Sequence, residues 1–263
     1  MKLSIIIPSW KDPRLIKTIG SLLETSRLGP KMEIIAVLDG YVPSFSLPQD
    51  PRVRYAFLGA NRGMREAINA GVGLARGEFI MRSDEHCMFA DGFDKSMVDA
   101  CPPDAIMTAV RFFLDPYKWE VMEKPPPVYY EKLAIRDGLK FEGQRWHTRT
   151  RQRRHLEVDE TMAMQGSVWV MPRKLWTDVI GALQTEGYGP LYQDSHEMVF
   201  KVWQAGGRLL LNKRTWFAHK HYRFTRTHSY GTADATPGWQ YSLSVWREYY
   251  EQEIVPRWFD GTA

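Results

Sequence analysis

Residues 61–89 read NRGMREAINAGVGLARGEFIMRSDEHCMF and decide the fold. Apolar and small side chains recur at helical spacing over residues 64–75, and Gly77 follows them as a helix terminator. Residues 78–82 then form a short apolar strand, and Asp84 comes directly after it. A helix of small residues that runs into a buried strand is typical of a helix lying close against a parallel sheet.

The residues before this stretch repeat the alternation of strand and helix. Buried strands are predicted over residues 3–8, 33–38 and 53–58, and a helix is predicted to begin at the N-cap Asp12. We therefore expect an α/β chain with an open, mostly parallel central sheet flanked by helices, whose ligand crevice lies at the carboxyl ends of the strands. Asp39 lies at one of these ends.

The residues after this stretch complete a single domain over residues 1–263. Further strands are predicted at 105–113, 166–171, 208–212 and 215–218, with a helix at 194–205. The domain divides into an N-terminal half (1–113), a basic and aromatic insertion (114–160) and a C-terminal half (161–263).

Composition excludes several classes of protein. The chain has 263 residues, of which 44% are hydrophobic and 25% charged, as in ordinary globular proteins. Its apolar runs are far too short to cross a bilayer, and we expect no membrane association. The only cysteines, Cys87 and Cys101, allow no disulfide framework and no thiolate zinc site, so we expect a cytoplasmic protein.

Three residues are candidates for metal ligands. Asp84 and His86 follow one predicted strand, and His219 ends another. One carboxylate and two imidazoles suit a divalent ion of the manganese type. Taken singly, each residue also fits a structural role, as a helix cap or a hydrogen-bonded residue at a strand end.

Asp194 and Glu197 lie three residues apart at the start of a predicted helix, so both carboxylates point from one face. Three roles are open to them. They stabilise the helix dipole, they accept hydrogen bonds from sugar hydroxyls, or one of them takes a proton from an attacking hydroxyl.

Residues 145–155 read RWHTRTRQRRH and contain five arginines and no acid. This run is either a solvated loop or a surface that binds a polyanion such as DNA. In the second case the binding residues are Arg145, Arg149, Arg151, Arg153 and Arg154.

Four phrases, in order, resemble the GT-A fold nucleotide-sugar glycosyltransferases, in particular the polypeptide N-acetylgalactosaminyltransferases and their relatives in family 2. They are LSIIIPSWKD (3–12), the stretch 61–89, GYGPLYQDSHEMVFKVWQAGGRL (187–209) and FAHKHYR (217–223). The third phrase resembles the family's Gly-Gly-Glu-Asn-x-Glu segment, but here Gln193 replaces a glycine and Asp194-Ser195 replaces Glu-Asn. The sugar pocket is therefore altered.

The resemblance implies that residues 1–113 are a nucleotide-binding half and that residues 161–263 are an acceptor- and sugar-binding half with a catalytic loop. It also implies roles for individual residues. Asp84, His86 and His219 are expected to hold Mn²⁺ or Mg²⁺. Asp194, Glu197 and Arg223 are expected at the catalytic centre, with Arg223 as a second cation on the diphosphate. Donor-binding roles fall to Pro8, Asp39, Arg65, Asp84 and Trp203.

The expected function is metal-dependent transfer of a sugar from a UDP-sugar to a hydroxyl group. The leading acceptor is the hydroxymethyl group of a modified pyrimidine in phage DNA, because the Arg-rich run and the ten tryptophans favour a polyanion. One alternative is a transferase that acts on protein or a cell-surface glycan. Another is a non-catalytic nucleic-acid-binding protein on the same fold. The product retains the anomeric configuration, or it is inverted with Asp194 as general base.

Overall fold

A computed structural model describes residues 1–220 and 235–259. The strands are β1 Leu3–Ser9, β2 Met32–Asp39, β3 Val53–Leu58, β4 Phe79–Ser83, β5 Cys87–Phe89, β6 Ala105–Asp115, β7 Glu120–Val121, β8 Glu131–Arg136, β9 Lys140–Arg145, β10 Val158–Glu160, β11 Val168–Pro172 and β12 Arg208–Lys220. The α-helices are α1 Leu15–Thr25, α2 Met64–Leu74, α3 Phe93–Ala100, α4 His147–Gln152, α5 Arg173–Leu175, α6 Asp194–Gln204, α7 Thr236–Tyr249 and α8 Val255–Phe259. None of the helices in the described ranges has the length and hydropathy that a membrane span needs.

Within residues 1–220 and 235–259, ten strands form one central sheet, and the predicted α/β architecture is confirmed. Its main path is β10-β12-β6-β11-β4-β1-β2-β3. The four strands β4, β1, β2 and β3 run parallel, whereas β11 is antiparallel to both β4 and β6. The parallel pair β6 and β12 continues the sheet on the other side. The carboxyl ends of β1, β2 and β4 therefore share one edge.

Apolar side chains of the strands alternate between two cores, one on each face of the sheet. In β1, Ile6 packs in the core that contains α2 and α6, whereas Ile5 and Ile7 pack in the core that contains α1 and α3. Strands that are buried on both faces explain the continuous apolar runs in the sequence. Gly71 of α2 permits the close approach of this helix to the sheet, because a Cβ there would lie 2.4 Å from Ile6 Cγ2.

The segment 114–160 contains regular structure and packs on the domain. Strands β8 and β9 form a separate two-stranded sheet, and β10 joins the central sheet beside β12. Leu133 and Phe141 of the hairpin are buried in the core that contains α6. The segment is therefore part of the packed structure.

Some boundaries differ from the predicted ones. Helix α1 begins at Leu15, and Asp12 lies outside it, accepting a hydrogen bond from the Arg14 backbone N–H at 3.0 Å. The two strands predicted near residues 208–218 are one strand, β12, which has a bulge between Asn212 and Trp216. The bulge accounts for the break in the apolar pattern that suggested two strands.

Candidate active site

Asp84, His86 and His219 come together at the carboxyl end of β4. The short strand β5 turns back against β12, and its Cys87 pairs with His219, which brings His86 beside that residue. Asp84 Oδ2 lies 3.0 Å from His219 Nε2 and 3.8 Å from His86 Nε2. We call these three residues the triad.

The triad fits one divalent ion. One ligand atom from each residue lies within 4.8 Å of the others. An octahedral ion that binds its ligands at about 2.1 Å needs only a small contraction of this set. Two imidazoles and a carboxylate on one side of an ion leave open positions for other oxygen ligands.

Outer partners orient both histidines so that their Nε2 atoms face Asp84. Asp12 Oδ2 lies 3.3 Å from His86 Nδ1, and Gln165 Nε2 lies 3.5 Å from His219 Nδ1. Ser167 Oγ in turn donates to Gln165 Oε1 at 2.8 Å. An accepting carboxylate such as that of Asp12 fixes both the ring orientation and the tautomer of a metal-binding histidine. The amide nitrogen of Gln165 only donates, so its contact fixes the ring orientation of His219 alone.

Arg82 supplies positive charge directly behind the triad. Burial alone would raise the pKa of Asp84, but the nearby Arg82 guanidinium and the contact with His219 hold that pKa well below its usual range. Arg82 Nη2 donates to Asp84 Oδ1 at 2.6 Å. Asp84 is thus ionised and able to offer Oδ2 to a cation.

The same guanidinium reaches Asp194 at the start of α6. Arg82 Nη1 donates to Asp194 Oδ2 at 2.9 Å and also to the carbonyl oxygen of Gly166. A Cβ at position 166 would lie 2.8 Å from Arg82 Nη1 and 3.1 Å from Asp194 Oδ2, so a side chain there would crowd this ion pair. The structure therefore links the predicted catalytic residue Asp194 to the triad through one buried arginine.

Glu197 was expected at the catalytic centre and Arg65 at the donor site, but in the structure the two side chains contact each other. They form an ion pair whose two side chains are 1% and 0% exposed. Arg65 also donates to the carbonyl oxygens of Gln184 and Tyr192 at 2.8 Å. Instead of facing a ligand, the pair anchors the loop between residues 184 and 192 to helices α2 and α6.

The other donor-site candidates lie at different places. Asp39 ends β2 and is only 2% exposed, because its carboxylate accepts the backbone N–H groups of Arg62 and Gly63, both at 2.7 Å, at the start of α2. Pro8 lies in β1, opposite Val37 of β2. Trp203, near the end of α6, is buried in the core away from the triad, so a donor contact is not supported. Arg223 lies outside the described residues.

A cavity of about 950 Å³ extends from His219 to the hairpin β8–β9. His219 and Asp194 line one part, and Lys140 and Arg145 of the hairpin line another. Its other lining residues include Arg111, Glu131, Phe141, Glu142, Gln165, Gly166, Tyr192, Gln193, Ser195, His196, Lys220 and Trp239. The mixture of charged, polar and aromatic groups is typical of a site for a polar organic ligand.

The five arginines of the basic run point in different directions. Arg149 is 8% exposed and pairs with Asp159 at 3.4 Å, so it is not available to a polyanion. Arg151 and Arg154 are exposed, Arg153 is half-buried, and Arg145 lines the cavity. The reason for the burial of Arg149 is its aromatic surroundings, since its guanidinium lies 4.9 Å from the Trp258 ring centre.

Sequence patterns alone miss three contributors. Arg82 reads as part of an apolar strand, although a charged residue inside a buried strand already indicates a buried partner. Asp12 reads only as a helix cap. Lys140 of the hairpin gives no signal, because only the fold brings it to the cavity.

The chain is similar in sequence to known proteins. The family model described as Glycosyl transferase family 2 matches residues 4–176. Polypeptide N-acetylgalactosaminyltransferase 4 of Mus musculus is 24% identical over 276 residues, which cover 97% of this chain and 45% of the mouse protein.

Two solved structures are similar in three dimensions. The structure of GalNAc-T7 with UDP, GalNAc and Mn²⁺ has a TM-score of 0.76 at 16% identity, covering 97% of this chain and 50% of that one. The structure of S. aureus TarS 1-349 in complex with UDP-GlcNAc has a TM-score of 0.60 at 14% identity, covering 89% of this chain and 62% of that one. The chain spans about half the length of the mouse protein and of GalNAc-T7.

Proposed function

The chain belongs to glycosyl transferase family 2 and has the GT-A fold, and from this premise we propose that it is a metal-dependent glycosyltransferase that moves a sugar from a UDP-sugar to a hydroxyl group. The observation that carries the proposal is the meeting of Asp84, His86 and His219 from separate parts of the chain. Support for the donor comes from the similar structures, which hold UDP with Mn²⁺ in one case and UDP-GlcNAc in the other.

Different residues of the chain have different roles at the proposed site. Asp84, His86 and His219 would hold a divalent ion, which when bound neutralises the charge of a diphosphate leaving group. Asp12 and Gln165 orient the two imidazoles. Asp194 lines the cavity, where its carboxylate accepts a hydrogen bond from a substrate hydroxyl or takes its proton. Arg223 remains the candidate for a second cation on the diphosphate.

For the acceptor, we propose the hydroxymethyl group of a modified pyrimidine in phage DNA, which also implies a cytoplasmic site of action. Lys140 and Arg145 line the cavity, and Arg151 and Arg154 are exposed on the same segment. Positively charged side chains of this kind bind the phosphate groups of DNA.

Two aromatic side chains lie on the same cavity wall as Lys140 and Arg145. Tyr192, which is 42% exposed, lies 6.2 Å from Trp239, ring centre to ring centre. Both rings line the cavity. They would receive a base that has left the stack of the duplex.

The test is incubation with UDP-glucose, UDP-galactose, UDP-GlcNAc and UDP-GalNAc, with and without Mn²⁺. Acceptor arms contain DNA with 5-hydroxymethyl pyrimidines, unmodified DNA, a protein mixture and a cell-surface glycan. We expect transfer only to the hydroxymethylated DNA, and loss of transfer in the variants Asp84→Asn and His219→Ala. The variant Asp91→Asn is the control, because Asp91 is an exposed carboxylate outside the site.

The other outcomes separate the alternatives. Transfer to protein or glycan would refute the DNA acceptor and keep the enzyme. DNA binding without transfer to any acceptor and without donor hydrolysis would refute the enzyme and favour a non-catalytic binding protein.

A further inference from the structure

One cation on the cavity wall has no carboxylate partner among the described residues. The other lysines and arginines that line the cavity each have one, namely Lys140 with Glu142 at 3.2 Å, Arg111 with Glu131 at 3.2 Å and Lys220 with Asp12 at 3.9 Å. Arg145 is half-buried and forms no ion pair within residues 1–220 and 235–259. A partly desolvated guanidinium without a counter-charge indicates a place for an anionic ligand.

The aromatic ring of Phe113 is the neighbour of this guanidinium. The guanidinium carbon of Arg145 lies 5.3 Å from the centre of the Phe113 ring, and that of Arg111 lies 5.4 Å from the same centre. Contact with an aromatic ring stabilises a guanidinium and leaves its N–H donors available to a ligand. Two guanidinium groups thus share one aromatic neighbour, and we call Arg111 and Arg145 the arginine pair.

The register of the sheet places this ring beside the triad. Phe113 of β6 is paired with His219 of β12, and the two strands are parallel. Neighbouring strands lie about 4.8 Å apart. Arg111 precedes Phe113 by two residues and therefore lies on the same face of β6. All three residues line the cavity, so the arginine pair lies next to the proposed ion site.

We propose that the arginine pair binds one phosphodiester of the acceptor DNA, next to the nucleotide that carries the accepting hydroxyl group. The inference rests on the proposed function and deepens it, because it assigns one phosphate of the acceptor to a defined place in the cavity. A guanidinium donates two parallel hydrogen bonds to phosphate oxygens. The donor diphosphate has its counter-charge in the ion that the triad would hold, which leaves the charge of Arg145 for the second substrate.

The test uses a single-stranded hexanucleotide with one 5-hydroxymethyl pyrimidine, because a single strand avoids the cost of removing the base from a duplex. One version has an ordinary backbone. In two others a neutral methylphosphonate replaces the phosphodiester on the 5′ or the 3′ side of the modified nucleotide. Fluorescence anisotropy measures affinity with Mn²⁺ and UDP, which has no sugar to transfer. The kcat/KM of transfer is measured with the UDP-sugar that the original protein uses.

The variants are Arg145→Gln and Arg145→Lys. Arg111 is left unchanged, since its loss would remove the partner of Glu131, which is only 9% exposed. The control is Arg247→Gln on α7, whose pair with Glu251 is exposed.

For the original protein, we expect one of the two neutral linkages to lower both affinity and kcat/KM by about 10-fold. Arg145→Gln should show the same loss with the ordinary backbone, and the neutral linkage should then cost less than about 2-fold more, because the contact is already absent. Arg145→Lys keeps the charge without the fork and should lie between the two. Affinity for UDP with Mn²⁺ should stay within about 2-fold in every variant, and Arg247→Gln should match the original protein.

The proposal is overturned if the neutral linkages cost the same in the original protein and in Arg145→Gln, or if neither linkage has an effect. A loss of UDP affinity in Arg145→Gln as large as its loss of oligonucleotide affinity also overturns it, since the arginine pair would then serve the donor diphosphate. If the original protein neither binds the oligonucleotide nor transfers a sugar to it, the DNA acceptor fails and the inference fails with it. Transfer that is indifferent to the neutral linkages removes the inference alone.

Discussion

The guanidinium of Arg82 donates to the carboxylate of Asp194 across 2.9 Å, and this contact joins strand β4 to the first turn of α6. Its other amino group donates to Asp84 at 2.6 Å. Arg82 is only 3% exposed, so one buried cation balances two carboxylates that belong to different parts of the site. The relative position of the triad and the cavity therefore depends on this residue.

Replacing Arg82 with methionine should destabilise the protein by about 3–5 kcal/mol, because two carboxylates lose their buried partner. Urea unfolding measures the change. Arg208→Met is the control, since its pair with Asp104 is 41% and 47% exposed and should contribute less than about 1 kcal/mol. Equal effects of the two substitutions would contradict the assigned role.

Asp12 should influence the affinity for an ion held by the triad without being one of its ligands. In Asp12→Asn, His86 loses the carboxylate that orients its ring, and Mn²⁺ affinity should fall by about 10-fold to 100-fold. Calorimetric titration with Mn²⁺ tests this, with Asp91→Asn as the matched control. An unchanged dissociation constant would show that Asp12 does not act through His86.

Glu197 should be essential for stability. Glu197→Gln keeps the shape but leaves Arg65 buried without its charge partner, which should lower the free energy of unfolding by about 3–5 kcal/mol. Glu251→Gln, in an exposed helical pair with Arg247, should change it by less than about 0.5 kcal/mol. Denaturant midpoints for both variants give the comparison. A small effect at Glu197 would mean that the pair is not what holds the loop 184–192.

Glu33 should make the free energy of unfolding depend on pH. Burial alone would raise the pKa of Glu33, but hydrogen bonds from Arg76 and Ser4 lower it from 4.5 to about 2. Because the pKa is lower in the folded state, the stabilisation is complete above about pH 4.5 and is lost as the pH falls toward 2.

Unfolding experiments between pH 2 and pH 6 with the original protein and Glu33→Gln test that dependence. The original should be more stable by about 2 kcal/mol at pH 6, and the difference should shrink toward pH 2. A difference that stays constant over this range would exclude Glu33 as the responsible group.

DNA binding through the basic run, residues 145–155, should weaken as the salt concentration rises. Replacing the exposed Arg151 and Arg154 with alanine should lower affinity at low salt and reduce the slope of log affinity against log salt by about 1 for each phosphate that is no longer neutralised. Fluorescence anisotropy with labelled duplex DNA measures both. Arg247→Ala, on α7, is the control. A slope that is the same in all three proteins would remove these arginines from the interface.

The sequence predicts the central sheet well, because its strands are buried on both faces and their apolar runs end at clear turn signals. The triad is also predictable, since each member follows or ends a strand, and the resemblance joins them. The buried ion pair of Arg65 and Glu197 could not be predicted. The spacing of residues along a helix indicates which face a carboxylate lies on, but it does not indicate which side chain of another helix contacts it. The same holds for Arg149, whose partners Asp159 and Trp258 are fixed only by tertiary packing.

Strands β8 and β9 form a two-stranded sheet that is separate from the ten-stranded sheet, yet they supply a wall of the cavity. A change of length at its Asp137-Gly138 turn shifts no register in the sheet that carries Asp84 and His219. Remodelling this one short segment would thus reshape a wall of the cavity and leave the positions of Asp84 and His219 as they are.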